Sequence, residues 1–252
     1  MTVRHQLHLD DLQGVWHRVW LSAPGHHDST TRVSWVQAGT RHVDLRLPER
    51  VPDIAGARAL KDLDAATLRL LAAFEGFAGT TVLDDDVCTW QREINYQGAP
   101  QGPDVGKLEH TPDGLLETGL LANYSELWRL GDAGPALAHR FVLDDQIVVL
   151  ASSGKTFGLG RARPDAMREP TSFPRQVESA LEAGDQSALG HLFDQEFCFG
   201  ELQDGAGMIR HSTNPLRVGD RAFECSDLTR PRPEIVLYRT DFAGKATQIT
   251  LR

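Results

Sequence analysis

VCTWQREINYQ, residues 87–97, alternates without a break: Cys88, Trp90, Arg92, Ile94 and Tyr96 fall on one face, and Val87, Thr89, Gln91, Glu93, Asn95 and Gln97 on the other. A period of two over this length predicts a β-strand with two unlike faces. The first face is large and mostly apolar, with an arginine in its middle, and most of it is expected to be buried. A buried guanidinium requires a carboxylate, carbonyl oxygens or a bound anion. The run 115–130 answers it: Leu116, Thr118, Leu120, Ala122, Tyr124, Glu126 and Trp128 share one face, with Glu117 on the other. Together the two stretches predict an antiparallel β architecture with polar groups inside.

Outward from this strand the same period recurs. Residues 32–39 and 41–47 read as short strands joined tightly at Gly39, and 48–56 as a linker. Over 59–74 the period changes, with Leu60, Leu63, Thr67, Leu70, Leu71 and Phe74 on one helical face, so an amphipathic helix is expected, ended by Gly76. Strands resume at 77–83, 105–109 and 115–130, with turns at Asp84-Asp85-Asp86 and Pro112-Asp113-Gly114. The acidic triplet reads as a turn rather than a metal loop. From Gly131 the pattern begins again: a hairpin across Asp144-Asp145, a strand at 156–162, helices at 175–183 and 187–193, then five more strands.

A chain of 252 residues buries a substantial core, as one large β domain or as two of about 125 residues. Its 26 basic and 35 acidic residues leave a net charge of -9, which disfavours nucleic acid and anionic membrane surfaces as partners. Cys88, Cys198 and Cys225 lie in strand-like runs without CxxC spacing, so reduced, buried thiols are expected. The first residues show no signal-peptide pattern and no apolar run reaches a membrane span, so a cytoplasmic location is expected. No spacing of histidines or cysteines predicts a metal, and no motif predicts a cofactor. Ser152 to Lys155, Gly154-Lys155-Thr156 and the sequon Asn123-Tyr124-Ser125 imitate motifs but lack their structural context.

The halves can be superposed on sequence. On that register Arg46 corresponds to Arg161, Arg92 to His211 and Glu117 to Glu224. The repeated order of elements predicts an all-β protein with minor helices, built of two tandem antiparallel β-barrels. The first covers 1–131 and the second 132–252, each with a helical insert.

Gly14-Val15-Trp16 resembles the G-x-W that opens lipocalin-like (calycin) β-barrels, in which the tryptophan plugs the closed end. The resemblance implies that Arg129 packs over that tryptophan. FAGTT (77–81), LLETG (115–119) and ELW (126–128) are also similar to a fungal family of double lipocalin-like barrels known as casein-kinase interactors. The superfamily implies binding of small, mostly apolar ligands, and some of its double-barrel members are isomerases, lyases or cyclases.

On these grounds the first barrel is expected to enclose a cavity lined by Trp90, Arg92, Tyr96, Tyr124 and Trp128. It would hold a small hydrophobic molecule whose carboxylate or carbonyl meets Arg92. Alternatively Arg92 is structural and pairs with Glu109, Glu117 or Glu126. An enzyme on the same scaffold would use Arg92 as electrophile and Tyr124 or Glu126 as acid or base. His211 would serve the second barrel, as a proton shuttle or a core histidine. A third reading is a protein-interaction module with filled barrels, with a protein partner or a homodimer.

Overall fold

The computed structural model describes residues 6–50, 52–143, 146–164 and 166–252. The turn expected at Asp144-Asp145 and the first five residues lie outside them. Nine strands form the first sheet: β1 (Gly14–Ala23), β2 (His26–Asp28), β3 (Arg32–Ala38), β4 (Arg41–Leu47), β5 (Glu75–Asp84), β6 (Val87–Asn95), β7 (Asp104–Thr111), β8 (Gly114–Gly119) and β9 (Ser125–Leu130). β2 is only an arm on β1; the others close into a barrel through antiparallel pairing of β1 with β9. The second sheet has eight: β10 (Ala136–Leu143), β11 (Gln146–Ser153), β12 (Thr156–Arg161), β13 (Glu196–Gln203), β14 (Ala206–Ser212), β15 (Arg221–Cys225), β16 (Ile235–Thr240) and β17 (Ala246–Leu251). It is a nearly closed barrel. Helix α1 (Ala65–Ala72) follows the third ring strand of the first barrel, and α2 (Phe173–Ala183) and α3 (Gln186–Leu192) follow the third strand of the second. The tandem architecture with helical inserts is therefore the one the periodicity predicts.

The single helix expected over 59–74 is broken. Asp64 Oδ1 accepts the Thr67 amide at 2.7 Å and starts α1 afresh, after a separate 3-10 turn at Leu60–Asp62. An aspartate in this place satisfies an amide that the first helical turn leaves free. Among the described residues no helix is long and apolar enough to cross a membrane.

Three cores follow from strand alternation. In β4, His42, Asp44 and Arg46 point into the first barrel, whereas Val43 and Leu45 point out. The outward set joins Ala78, Ile94, Val149, Phe197 and Phe199 in a core shared by the two barrels and covered by the helices. Phe141, Leu150, Phe157, Phe223 and their neighbours fill the second barrel. Trp16, Trp35, Trp90 and Trp128 fill the first. The barrels approach closely at Gly76, where a Cβ would lie 2.7 Å from Phe197 Cγ. The three cysteines are buried and free.

The alternation of 87–97 is interrupted where it matters. A β-bulge falls at Glu93: Gly79 pairs with Arg92 but Ala78 pairs with Ile94. One extra residue reverses the side to which everything beyond it points. Cys88, Trp90 and Arg92 face the barrel interior, while Ile94 and Tyr96 turn to the inter-barrel core. Tyr96 meets Phe173 and Phe197 edge-on and donates to the Leu71 carbonyl oxygen at 3.2 Å, so it lines no cavity of the first barrel.

The second barrel repeats this bulge, with Gly200 opposite Ile209 and Arg210 as the extra residue. In both, a Cβ on the glycine would lie 1.9 Å from a carbonyl oxygen of the bulged strand, that of Gln91 or of Met208. Arg46 faces Glu75 as Arg161 faces Glu196, four residues before each of those glycines, so the equivalence of Arg46 and Arg161 stands. Counting through the bulges, Arg92 corresponds to Ile209 and not to His211. Glu224 lies on the third strand after the helical insert and Glu117 on the fourth, so they are not equivalent either. Gly79→Ala is expected to lower the unfolding free energy by about 2–3 kcal/mol, because the backbone must move to admit the methyl. Urea denaturation followed by tryptophan fluorescence measures this; an unchanged midpoint would refute the close approach.

Candidate functional site

Aromatic side chains pack one part of the first barrel. Trp16 Nε1 donates to the Leu12 carbonyl oxygen at 2.7 Å. The Trp35 ring centroid lies 6.1 Å from that of Trp16, 5.7 Å from Trp90 and 5.8 Å from Trp128. Arg129, opposite His17 on β9, is exposed and turned away from this cluster. Trp128 points inward, and alternation sends its neighbour out, so the arginine-over-tryptophan contact implied by the lipocalin resemblance is not made.

Beside the tryptophans the interior is ionic. Glu117 and Glu126 stand directly opposite each other on β8 and β9, and both are buried. Glu126 Oε1 accepts from Arg18 Nη1 at 2.8 Å, and Arg18 Nη2 reaches Asp28 at 2.5 Å. Glu117 accepts from Tyr124 Oη at 2.7 Å and from Trp128 Nε1 at 3.0 Å. Burial, reinforced by the charge of Glu126, pushes the Glu117 carboxyl up to about 8. Asp44, bonded to Arg46 Nε at 2.9 Å, is pushed up to about 6 by burial. His42, beside Thr81, is pushed down to about 3 by burial and is a neutral structural histidine. The void among Trp35, Trp90, Trp128 and these charged groups is about 10 Å³, room for one water. Among the described residues the interior of the first barrel is packed around this void, and the expected cavity is not found there.

A cleft of about 360 Å³ opens instead at the barrel mouth, under the loop that joins β6 to β7. Arg92, Asp104 and Tyr124 stand in its wall, with Glu75 at its edge and Leu121 and Val105 as apolar surface. The partner of Arg92 is Asp104, at 2.5 Å, rather than any of the three glutamates expected from sequence. The guanidinium lies 3.8 Å from the Phe77 ring centroid, and its buried Nε has no hydrogen-bond partner. Asp104 and the Tyr124–Glu117 hydrogen bond link the cleft to the ionic interior.

The structure thus brings Arg92 and Tyr124 together, with Trp90, Trp128 and Glu126 behind them. Tyr96 lies outside. So does His211, which stands on the outer face of the second barrel against Arg32 of the first. One strand over 115–130 would put Glu117 on the outer face, but a turn at 120–124 separates β8 from β9 and restarts the alternation, so Glu117 points inward with Glu126. Leu120 to Asn123 carry the signal, since Asn favours turns. Asp104, Asp44 and Arg18 were missed. Asp44 was legible from the alternation of RHVDLRL; nothing local marks Asp104 or Arg18.

Fold and cleft together define a two-barrel β protein with a filled first barrel and a charged mouth. No protein-family model and no curated protein sequence matches the chain. Among solved structures, an uncharacterized protein of Saccharomyces cerevisiae, YLR301w, is similar over 95% of this chain and 85% of its own, with 11% identity and a TM-score of 0.43. A likeness at that level carries no functional meaning.

Proposed function

We propose that the mouth of the first barrel binds a small, largely apolar molecule through a carbonyl group, with Arg92 as its donor. The observation that carries this reading is the Arg92 guanidinium in the wall of the 360 Å³ cleft, braced on Phe77, paired with Asp104 and still 21% exposed. A guanidinium carries five donors and Asp104 takes only Nη2, so other N–H groups can meet an acceptor in the cleft. Asp104 and Glu75 already supply negative charge to the cleft, so a neutral carbonyl suits it better than a carboxylate. Leu121 and Val105 offer the apolar contact.

One observation favours catalysis on the same site. Burial and the facing Glu126 raise the Glu117 carboxyl well above the usual carboxylate range, and Tyr124 joins it to the cleft. Burial raises the phenol of Tyr124 as well, so it relays a proton without becoming charged. With Arg92 polarising a carbonyl, Glu117 passes its proton to the Tyr124 oxygen as Tyr124 gives its own to the bound molecule, which suits the proton-delivering half of an isomerase or lyase step. Glu126 then acts through Glu117, as a positioning residue.

Native mass spectrometry of freshly purified protein and of its Arg92→Ala variant tests the binding reading. An extra mass carried by the natural chain and lost from the variant is expected. The same mass on both would overturn it, and no mass on either would favour filled barrels that serve a protein partner.

A further inference from the structure

The two barrels leave a groove of about 510 Å³ where β1 and β3 of the first face β12, β13 and β14 of the second. Neither barrel forms it alone. Arg32 enters it from β3, with Nη1 3.0 Å from His211 Nδ1 and 3.2 Å from His211 Nε2. His17 enters from β1, its Nδ1 3.0 Å from Ser34 Oγ, and the Thr156 hydroxyl on the groove donates to Asp132 Oδ2 at 3.3 Å. The other arginines of the groove are committed: Arg18 to Glu126 and Asp28, and Arg210 to Glu201 at 2.8 Å. That bond also occupies Glu201, the carboxylate on this groove. Arg32 is exposed and, among the described residues, makes no ion pair. Burial first, and then the positive charge of Arg32, hold both imidazoles below their ordinary value. Three groups able to carry positive charge therefore crowd one groove without a counter-charge, an arrangement that a bound anion relieves.

The number of donors selects the anion. A planar monoanion would satisfy Arg32 and leave the imidazoles idle, whereas a tetrahedral dianion has oxygens for all three groups. We propose that the inter-barrel groove is a second binding site, which takes a phosphate dianion, free or as the monoester of a small molecule, on Arg32, His211 and the hydrogen-bonded His17–Ser34 pair. The groove is larger than phosphate alone requires and leaves space for an organic substituent. A phosphate held there touches both barrels and ties their relative position to its binding.

Isothermal titration with inorganic phosphate and with phenyl phosphate tests the site. Saturable binding of one molecule per chain is expected. Tighter binding of phenyl phosphate would point to a monoester, and equal binding to free phosphate. Arg32→Ala should weaken both at least about tenfold, the loss of one charge-assisted hydrogen bond. Arg230→Ala removes the same charge from an exposed position on the second barrel and should leave binding unchanged. No saturable binding, or equal weakening by the two variants, would overturn the proposal. As a readout independent of any variant, phosphate should shift the ring-proton resonances of His17 and His211 but not those of exposed His26. Equal shifts of all three would also overturn it.

Discussion

Arg18→Ala is expected to destabilise the protein by about 3–5 kcal/mol, the usual cost of removing one partner from a buried ion pair. Arg18 is the cation bonded to Glu126, and its side chain is only 5% exposed against 3% for Glu126. Without it the Glu126 carboxylate is left in the barrel interior directly opposite Glu117. Asp28 suffers less, because the amides of Thr30 and Thr31 still hold it at the surface end of the network. The loss therefore belongs to the charge on Glu126, and Glu126→Gln in the Arg18→Ala background should recover much of it. Urea denaturation of the four proteins of this cycle measures the coupling. If Arg18→Ala falls within about 1 kcal/mol of the natural chain, the range of an exposed pair, the network is not holding the barrel together.

The second large effect is in pH. An isolated glutamate titrates at 4.5, whereas burial and the facing Glu126 move Glu117 to about 8 in the native barrel. Between those values the native chain keeps a proton that the unfolded chain has released. The contribution of Glu117 to stability is then fully present below about pH 4.5, falls as pH rises through the window, and levels off above about 8. Asp44, moved from 3.8 to about 6, adds a loss of the same sign over the lower part of the window. Glu117→Gln replaces the protonated acid with a neutral amide whose oxygen can still accept from Tyr124 or Trp128. The variant should lose most of the decline and be the more stable protein at about pH 8. Unfolding midpoints at about pH 5 and about pH 8 test this; a variant with the natural slope would show that Glu117 is not the group responsible. The same substitution removes the proton that the catalytic reading assigns to the Tyr124 relay.

How much of this was legible in the chain can be argued from single elements. The alternation of residues 87–92 correctly set Trp90 and Arg92 side by side on one buried face, because those positions lie before the bulge. Ile94 and Tyr96, placed on the same face by the same rule, went to the other side of the sheet. At the bulge Gly79 lies against the carbonyl oxygen of Gln91, a contact between neighbouring strands that no property of 87–97 reveals. The error at Glu117 was different in kind. There the turn residues are present in the sequence, and the turn they make at 120–124 inverts the face.

The candidate site divides along the same line. Arg92 and Tyr124 were recognisable as polar groups set among apolar neighbours, and each stands in the cleft wall. Their partners Asp104 and Glu117 come from other strands, and pairing across strands is decided by the register of the barrel. His211 shows the opposite failure: its own strand is as expected, but the group beside it is Arg32, distant in the chain and carried by the other barrel.

By itself the sequence determined the β class, the doubling of the unit and the helical insert of each half, since a period of two, a change to helical period and turn residues act over a few neighbouring positions. Only the tertiary structure decided that the first barrel is filled, that its ionic groups meet as pairs, and that a groove lies between the barrels. Those features depend on which residues close packing and strand register bring together from distant parts of the chain, and local periodicity is the same for a filled barrel as for a hollow one.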